Sequence, residues 1–131
     1  MKNVYTWAAK PAKRSTTVGD LKAAKGKKKF TQVTANTVDE AAAAEKAGFD
    51  MIIANAKNII PVREGSKNLF LTAALVLNEF VTADEIMRGA FKALENGADA
   101  VMTPRSMDIV EMLAKEDVPV MGHLGLSLIH I

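Results

Sequence analysis

Ala47-Gly48-Phe49-Asp50-Met51-Ile52 and Asn96-Gly97-Ala98-Asp99-Ala100-Val101 carry one pattern twice, a Gly-x-Asp step leading into an apolar run, with Gly97 standing 49 positions after Gly48. Glycine enters the left-handed backbone region without steric penalty, so each step reads as a helix that stops before the chain turns into a strand. Outward from this pair, further apolar runs occupy Phe30 to Ala35, Leu69 to Leu77 and Val118 to Met121, beside those at Met51 to Ala54 and Ala98 to Met102. None alternates between polar and apolar residues. Strands buried on both faces have this character, which predicts a parallel sheet covered by helices. The run Leu69 to Leu77 leaves strand and helix open, because periodicity does not separate the two in a short apolar segment.

The intervening segments read as helices. Thr17 to Asp20, Thr37 to Glu40 and Thr82 to Glu85 have the Ser/Thr-x-x-Asp/Glu form of a capping box, in which a hydroxyl and a carboxylate satisfy free N–H groups of the first turn. Ser106 starts a fourth helix, carrying Ile109, Val110 and Leu113. Strand centres near positions 33, 52, 73, 100 and 120 are about one βα unit apart. The expected fold is therefore α/β, a partial (β/α)8 TIM barrel with about five of eight parallel strands. An open doubly wound sheet is the alternative, and no Gly-x-Gly-x-x-Gly follows any strand to favour it.

With 131 residues, 49% hydrophobic and 24% charged, the chain has the composition of an ordinary domain with a single core. No apolar run approaches the roughly 20 residues that span a bilayer, and Val4 to Ala9 is too short for a signal peptide, so no membrane partner and a cytoplasmic location are expected. There is no cysteine, which excludes disulfides, thiolate nucleophiles and thiolate metal sites. Residues 1–30 hold nine Lys/Arg against Asp20 alone, while residues 31–131 hold eight against fourteen acids. Lys25, Lys27, Lys28 and Lys29 lack interleaved aromatics and directly precede a strand, so they read as a solvated loop and no nucleic-acid partner is expected. Residues 1–14 read as a basic N-terminal arm whose Tyr5 and Trp7 pack on a neighbouring surface.

At Val118-Pro119-Val120-Met121-Gly122-His123-Leu124-Gly125-Leu126 the chain resembles the ketopantoate (3-methyl-2-oxobutanoate) hydroxymethyltransferase family, whose fifth strand ends in Gly-His-(Leu/Ile)-Gly-Leu. Matches follow the same order upstream: Thr34-Ala35 ending strand one, Ala47 to Ile52 entering strand two, and Gly97 to Val101 entering strand four. The resemblance runs from about Thr16 to Leu126. It implies a TIM barrel, Mg2+, and transfer of a hydroxymethyl group from methylenetetrahydrofolate to a 2-oxo acid in pantothenate biosynthesis. Residues 15–125 are then the N-terminal half of the barrel domain, and a homo-oligomer is expected at full length.

The family places aspartates after strands two and three and a glutamate after strand four, where they bind the cation. The matching stretches here are Ala54-Asn55-Ala56-Lys57, Thr72-Ala73-Ala74-Leu75 and Met102-Thr103-Pro104-Arg105, all without a carboxylate. A hard cation wants anionic oxygens, so no metal ligand is assigned. Lys57 and Arg105 place positive charge there instead, where it suits a carboxylate or phosphate. His123 matches the family histidine at the substrate, which makes it the catalytic candidate for hydrogen-bonding a carboxylate or moving a proton; packing at the barrel mouth is the other reading. Asn55, Lys57, Thr103 and Arg105 are the substrate-binding candidates, for a 2-oxo acid or related carboxylate, although a strand-end asparagine also serves turns. A divergent hydroxymethyltransferase, another carbon–carbon lyase or transferase on the same scaffold, and a non-catalytic paralogue all fit. The stretch 126–131 reads as a non-native tail on an incomplete barrel.

Overall fold

The computed structural model describes residues 1–124, so the expectation for the tail at 126–131 lies outside the described residues. Residues 1–14 form an antiparallel hairpin, β1 (Lys2–Tyr5) with β2 (Pro11–Arg14), in which Lys2 faces Arg14 and Tyr5 faces Pro11. Trp7 lies in the connecting turn, its ring 5.4 Å from that of Phe91.

Helix α1 (Val18–Ala23) follows, and then the repeating units: β3 (Gln32–Thr34), α2 (Val38–Lys46), β4 (Met51–Asn55), a 3-10 turn (Ala56–Asn58), α3 (Ile59–Gly65), β5 (Phe70–Ala74), α4 (Ala83–Glu95), β6 (Ala100–Thr103), α5 (Met107–Lys115) and β7 (Val120–Gly122). The five strands β3 to β7 are all parallel and lie in chain order. This is the sheet that the unbroken apolar runs require.

The run Leu69 to Leu77 resolves as a strand, but a shorter one. Leu75 still donates its N–H to Met102, whereas the N–H groups of Glu79 and Phe80 turn back onto the Val76 carbonyl and take the chain out of the sheet. Thr17 and Thr82 form complete capping boxes with Asp20 and Glu85. At α2 the box is shifted: Thr37 Oγ1 accepts the Glu40 N–H, but the Glu40 carboxylate reaches past Thr37 to the N–H of Asn36. The Ser106 side chain makes no cap hydrogen bond, although α5 begins directly after it.

The doubled Gly-x-Asp step has a common geometry. Gly48 and Gly97 take φ of 81° and 112°, the left-handed turn that the sequence predicts. Asp50 then accepts the N–H of Thr31 at 2.8 Å, and Asp99 that of Leu71 at 2.9 Å. Met51 pairs with Gln32 and Ala100 with Thr72, so each aspartate stands opposite the residue whose N–H it takes. The Thr31 backbone N–H holds the Asp50 carboxyl below the ordinary aspartate range.

Asp99 carries more. Arg14 Nε reaches its two oxygens at 2.9 and 3.0 Å, and Arg63 Nη2 donates at 2.9 Å. Arg14 is 4% exposed and also donates to the Lys13 and Lys67 carbonyls. Arg63 spends its other donors on the carbonyls of Gly97, Ser66 and Leu69. Burial lowers the Arg63 pKa from its ordinary value, and the Asp99 charge opposes that shift. One carboxylate thus ties the hairpin, α3, β5 and β6 together at the N-terminal end of the sheet.

The two faces of the sheet bury different cores. Ile52, Leu71 and Val101 point to the helices, where they meet Ile59, Val62, Ile86, Leu94 and Leu113 in the larger cluster. Met51, Phe70 and Ala100 point to the other, interior side and are covered by Val18, Leu21 and Phe30. Burial of a side chain such as Leu71 or Phe70 contributes roughly 1.5–3 kcal/mol. Helix α1 therefore closes the interior at the strands' N-terminal end. Among the described residues no helix is long and apolar enough to cross a membrane.

Candidate functional site

In parallel βα sheets the loops after the strands are free to carry chemistry, while the opposite end is occupied with packing. Asn36, Asn55, Lys57, Arg105 and His123 all follow or end strands on that C-terminal side. Alternation along the strands puts Asn55, Ala74, Met102 and Met121 in one row on the interior side, in register through Asn55 with Ala74, Ala74 with Met102 and Met102 with Met121. His123 stands one step beyond Met121 on the same side and is exposed. It is three strands from Asn55, about 14 Å along the sheet at roughly 4.8 Å per strand.

Three amides meet at the ends of β3 and β4. The Asn36 Oδ1 accepts the Asn55 N–H at 2.8 Å and Asn58 Nδ2 at 3.1 Å. The Asn55 Oδ1 accepts the Lys57 N–H at 3.0 Å, an Asx turn that starts the 3-10 segment. With that oxygen occupied, the Asn55 side chain presents its Nδ2 donor. Asn55 is thus both a turn residue and a donor on the interior side, and the two readings of it do not compete.

The two cations have partners. Lys57 Nζ lies 3.1 Å from Glu79 Oε1 in an exposed pair. Arg105 Nη2 donates to the carbonyls of Leu77 and Phe80, which bracket Glu79. Arg105 therefore holds the loop that holds Lys57, while its own Nε is buried without a hydrogen bond. Thr103 is completely buried on the helix side, and its hydroxyl accepts the Arg105 N–H at 3.2 Å. The structure thus brings Asn55 and Lys57 together, leaves His123 three strands away on the same side of the sheet, and turns Thr103 to the other side. Asn36, Asn58 and Glu79 are the neighbours that sequence reasoning passed over. The signal for Asn36 was available, since it follows Thr34-Ala35 at a strand end just as Asn55 ends β4; nothing in the sequence pairs Glu79 with Lys57.

Among solved structures, a rubisco-like protein from Burkholderia fungorum superimposes over 87% of this chain and 36% of its own length, with TM-score 0.55 and 15% identity. A protein described as a deoxyribose-phosphate aldolase from Coccidioides immitis does so over 71% and 46%, with TM-score 0.51 and 14% identity. These likenesses concern the fold, and with the sequential parallel sheet they define the class: a partial (β/α) barrel. No family model matches the chain. Curated relatives do. The chain is 32% identical to the 3-methyl-2-oxobutanoate hydroxymethyltransferase of Kosmotoga olearia, over 82% of this chain and 49% of that protein. The proteins of the same name from Pyrococcus furiosus, at 32% identity, and Thermotoga maritima, at 30%, match 79% and 84% of the chain. The chain belongs to the 3-methyl-2-oxobutanoate hydroxymethyltransferase family, and it spans about half the length of the curated relatives it matches.

Proposed function

We propose that the C-terminal strand ends around Asn55 and Lys57 bind a 2-oxo acid or a related carboxylate, and that the protein is a divergent hydroxymethyltransferase using methylenetetrahydrofolate as one-carbon donor. The observation that carries this reading is the family relationship combined with Asn55 and His123 on the interior side at the C-terminal ends of parallel strands. The Asn55 Nδ2 is a donor suited to a carboxylate or carbonyl oxygen. Lys57 supplies the positive charge, with the substrate carboxylate taking the place of Glu79 beside it. His123 is the proton-moving candidate on the same side of the sheet, for a substrate atom that lies toward β7. Thr103 acts only through Arg105, and Arg105 only through the loop bearing Glu79.

The Mg2+ that the family relationship implies meets an unsuitable donor set here. The strand ends offer the Asn36, Asn55 and Asn58 amides and the apolar Ala74, and the nearby carboxylate of Glu79 faces Lys57. Neutral amides beside an ammonium do not fit a hard cation. The same donor set favours a second reading, a ligand-binding paralogue without turnover.

The test is to mix the protein with 3-methyl-2-oxobutanoate and follow binding by saturation-transfer NMR, proton exchange next to the carbonyl in deuterated buffer, and product formation on adding methylenetetrahydrofolate. The expected result is binding independent of Mg2+ and weakened about tenfold by Asn55→Ala or Lys57→Ala, the change that about 1.4 kcal/mol produces. Exchange and product mark the enzyme, and binding without either marks the paralogue. Absence of binding at millimolar substrate, or binding that needs Mg2+ and ignores both substitutions, overturns the site.

A further inference from the structure

The Asn36 side chain completes the ladder between β3 and β4. Backbone rungs join the Met51 N–H to the Thr31 carbonyl and the Ala35 N–H to the Ile53 carbonyl, but the last N–H of β4, that of Asn55, goes to Asn36 Oδ1 at 2.8 Å. The same oxygen accepts Asn58 Nδ2 at 3.1 Å. An oxygen that takes two donors fixes which way its amide is turned, because Nδ2 in that place would set donor against donor. Asn55 is fixed in the same way, by the Lys57 N–H at 3.0 Å on its Oδ1.

Both Nδ2 groups are left over. Among the described residues neither donates to a protein acceptor, and neither is one of the buried unpaired atoms, so a ligand can reach both. Thr34 pairs with Ile53, and two residues further on the same register sets Asn36 opposite Asn55, on the interior side of neighbouring strands roughly 4.8 Å apart. Two amides in this state, with their oxygens engaged, offer N–H donors and no acceptor. That suits a group with oxygens on adjacent atoms, such as the carboxylate and neighbouring carbonyl of a 2-oxo acid.

We infer that Asn36 is a second substrate-binding residue, its Nδ2 acting with that of Asn55 on the adjacent carboxylate and carbonyl oxygens of the 2-oxo acid; this rests on the binding proposed above for the same strand ends. Titration of the isotope-labelled protein with 3-methyl-2-oxobutanoate, followed by NMR, should move the side-chain N–H resonances of Asn36 and Asn55 with one dissociation constant. Asn36→Asp keeps an oxygen for the Asn55 and Asn58 donors and replaces only the outward Nδ2. It should therefore leave the thermal midpoint in place and weaken binding at least about tenfold, whereas Asn36→Ala should lower both. The added negative charge also repels a carboxylate, but that part is screened by salt, so the affinity ratio should persist at about 1 M salt, where charges more than roughly 3 Å apart no longer interact strongly. Two results overturn the role of Asn36 while leaving the site standing: Asn36 resonances that stay still although Asn55→Ala and Lys57→Ala weaken binding, or an affinity ratio that vanishes at high salt. Absence of binding at millimolar acid overturns both. The resonances are read on the unsubstituted chain, so the first result decides even where a variant is unstable.

Discussion

At the N-terminal end of the sheet Asp99 takes hydrogen bonds from Arg14, Arg63 and the Leu71 backbone, and Arg14 is 4% exposed. At the C-terminal end Lys57 and Glu79 form an exposed pair, and three asparagines share hydrogen bonds at the ends of β3 and β4. Both ends use charged side chains, yet one locks secondary-structure elements together and the other leaves its ion pair exposed. The difference is one of enclosure. A buried ion must have its partners fixed by the fold, whereas an exposed one is cheaply exchanged for a ligand.

The sharpest way to break this comparison is to remove the shared carboxylate. Asp99→Asn keeps the shape but leaves Arg14 and Arg63 without a counter-charge, and it should cost about 3–5 kcal/mol, read as a lowered urea midpoint. A loss below about 1 kcal/mol would put the N-terminal end in the same class as exposed pairs.

Thr72 tests the other sign. Its hydroxyl is buried on the interior side without a hydrogen-bond partner. Thr72→Val keeps the volume and removes an unsatisfied group, so a gain of about 1 kcal/mol is expected in thermal or chemical unfolding. Destabilisation by Val would mean that the hydroxyl is satisfied in solution.

A smaller effect follows from Asp50, whose folded pKa lies below its unfolded value because the Thr31 backbone N–H donates to it. Its contribution is fully present above the unfolded value and is lost as pH falls through the lower folded one. Thermal midpoints measured on acidification should therefore drop through that window. Asp50→Asn should flatten that part of the curve, and an unchanged slope would count against the Thr31 contact.

The smallest effect belongs to the candidate site. Lys57→Ala removes an exposed ion pair and should change stability by no more than about 0.5 kcal/mol. Measured beside ligand binding, it separates the two ends: a large loss of stability here would make Lys57 a structural residue like Arg14.

Most of the fold was legible because its causes are local. Unbroken apolar runs give buried parallel strands, hydroxyl and carboxylate three positions apart start helices at Thr17 and Thr82, and the two glycines mark where helices end. The boundary of β5 was less legible, since Val76 and Leu77 are as apolar as the strand they leave. The candidate site was legible in part. Asn55 and His123 come from strand ends and the family relationship, while Glu79 and Arg105 meet Lys57 only through loops folded against one another.

The sequence by itself determined the order and direction of the strands, the helix starts and the family, because periodicity, capping and glycine placement act within a few residues. Only the tertiary structure decided what each polar side chain is for. Asp50 and Asp99 occupy the same step of the same repeat, but Asp99 alone is enclosed by two arginines from residues 36 and 85 positions away. Thr103 ends a strand as Asn55 does, but one residue's difference in alternation turns its hydroxyl into the helix layer. Burial and charge pairing depend on segments distant in the chain, and short-range sequence patterns do not contain them.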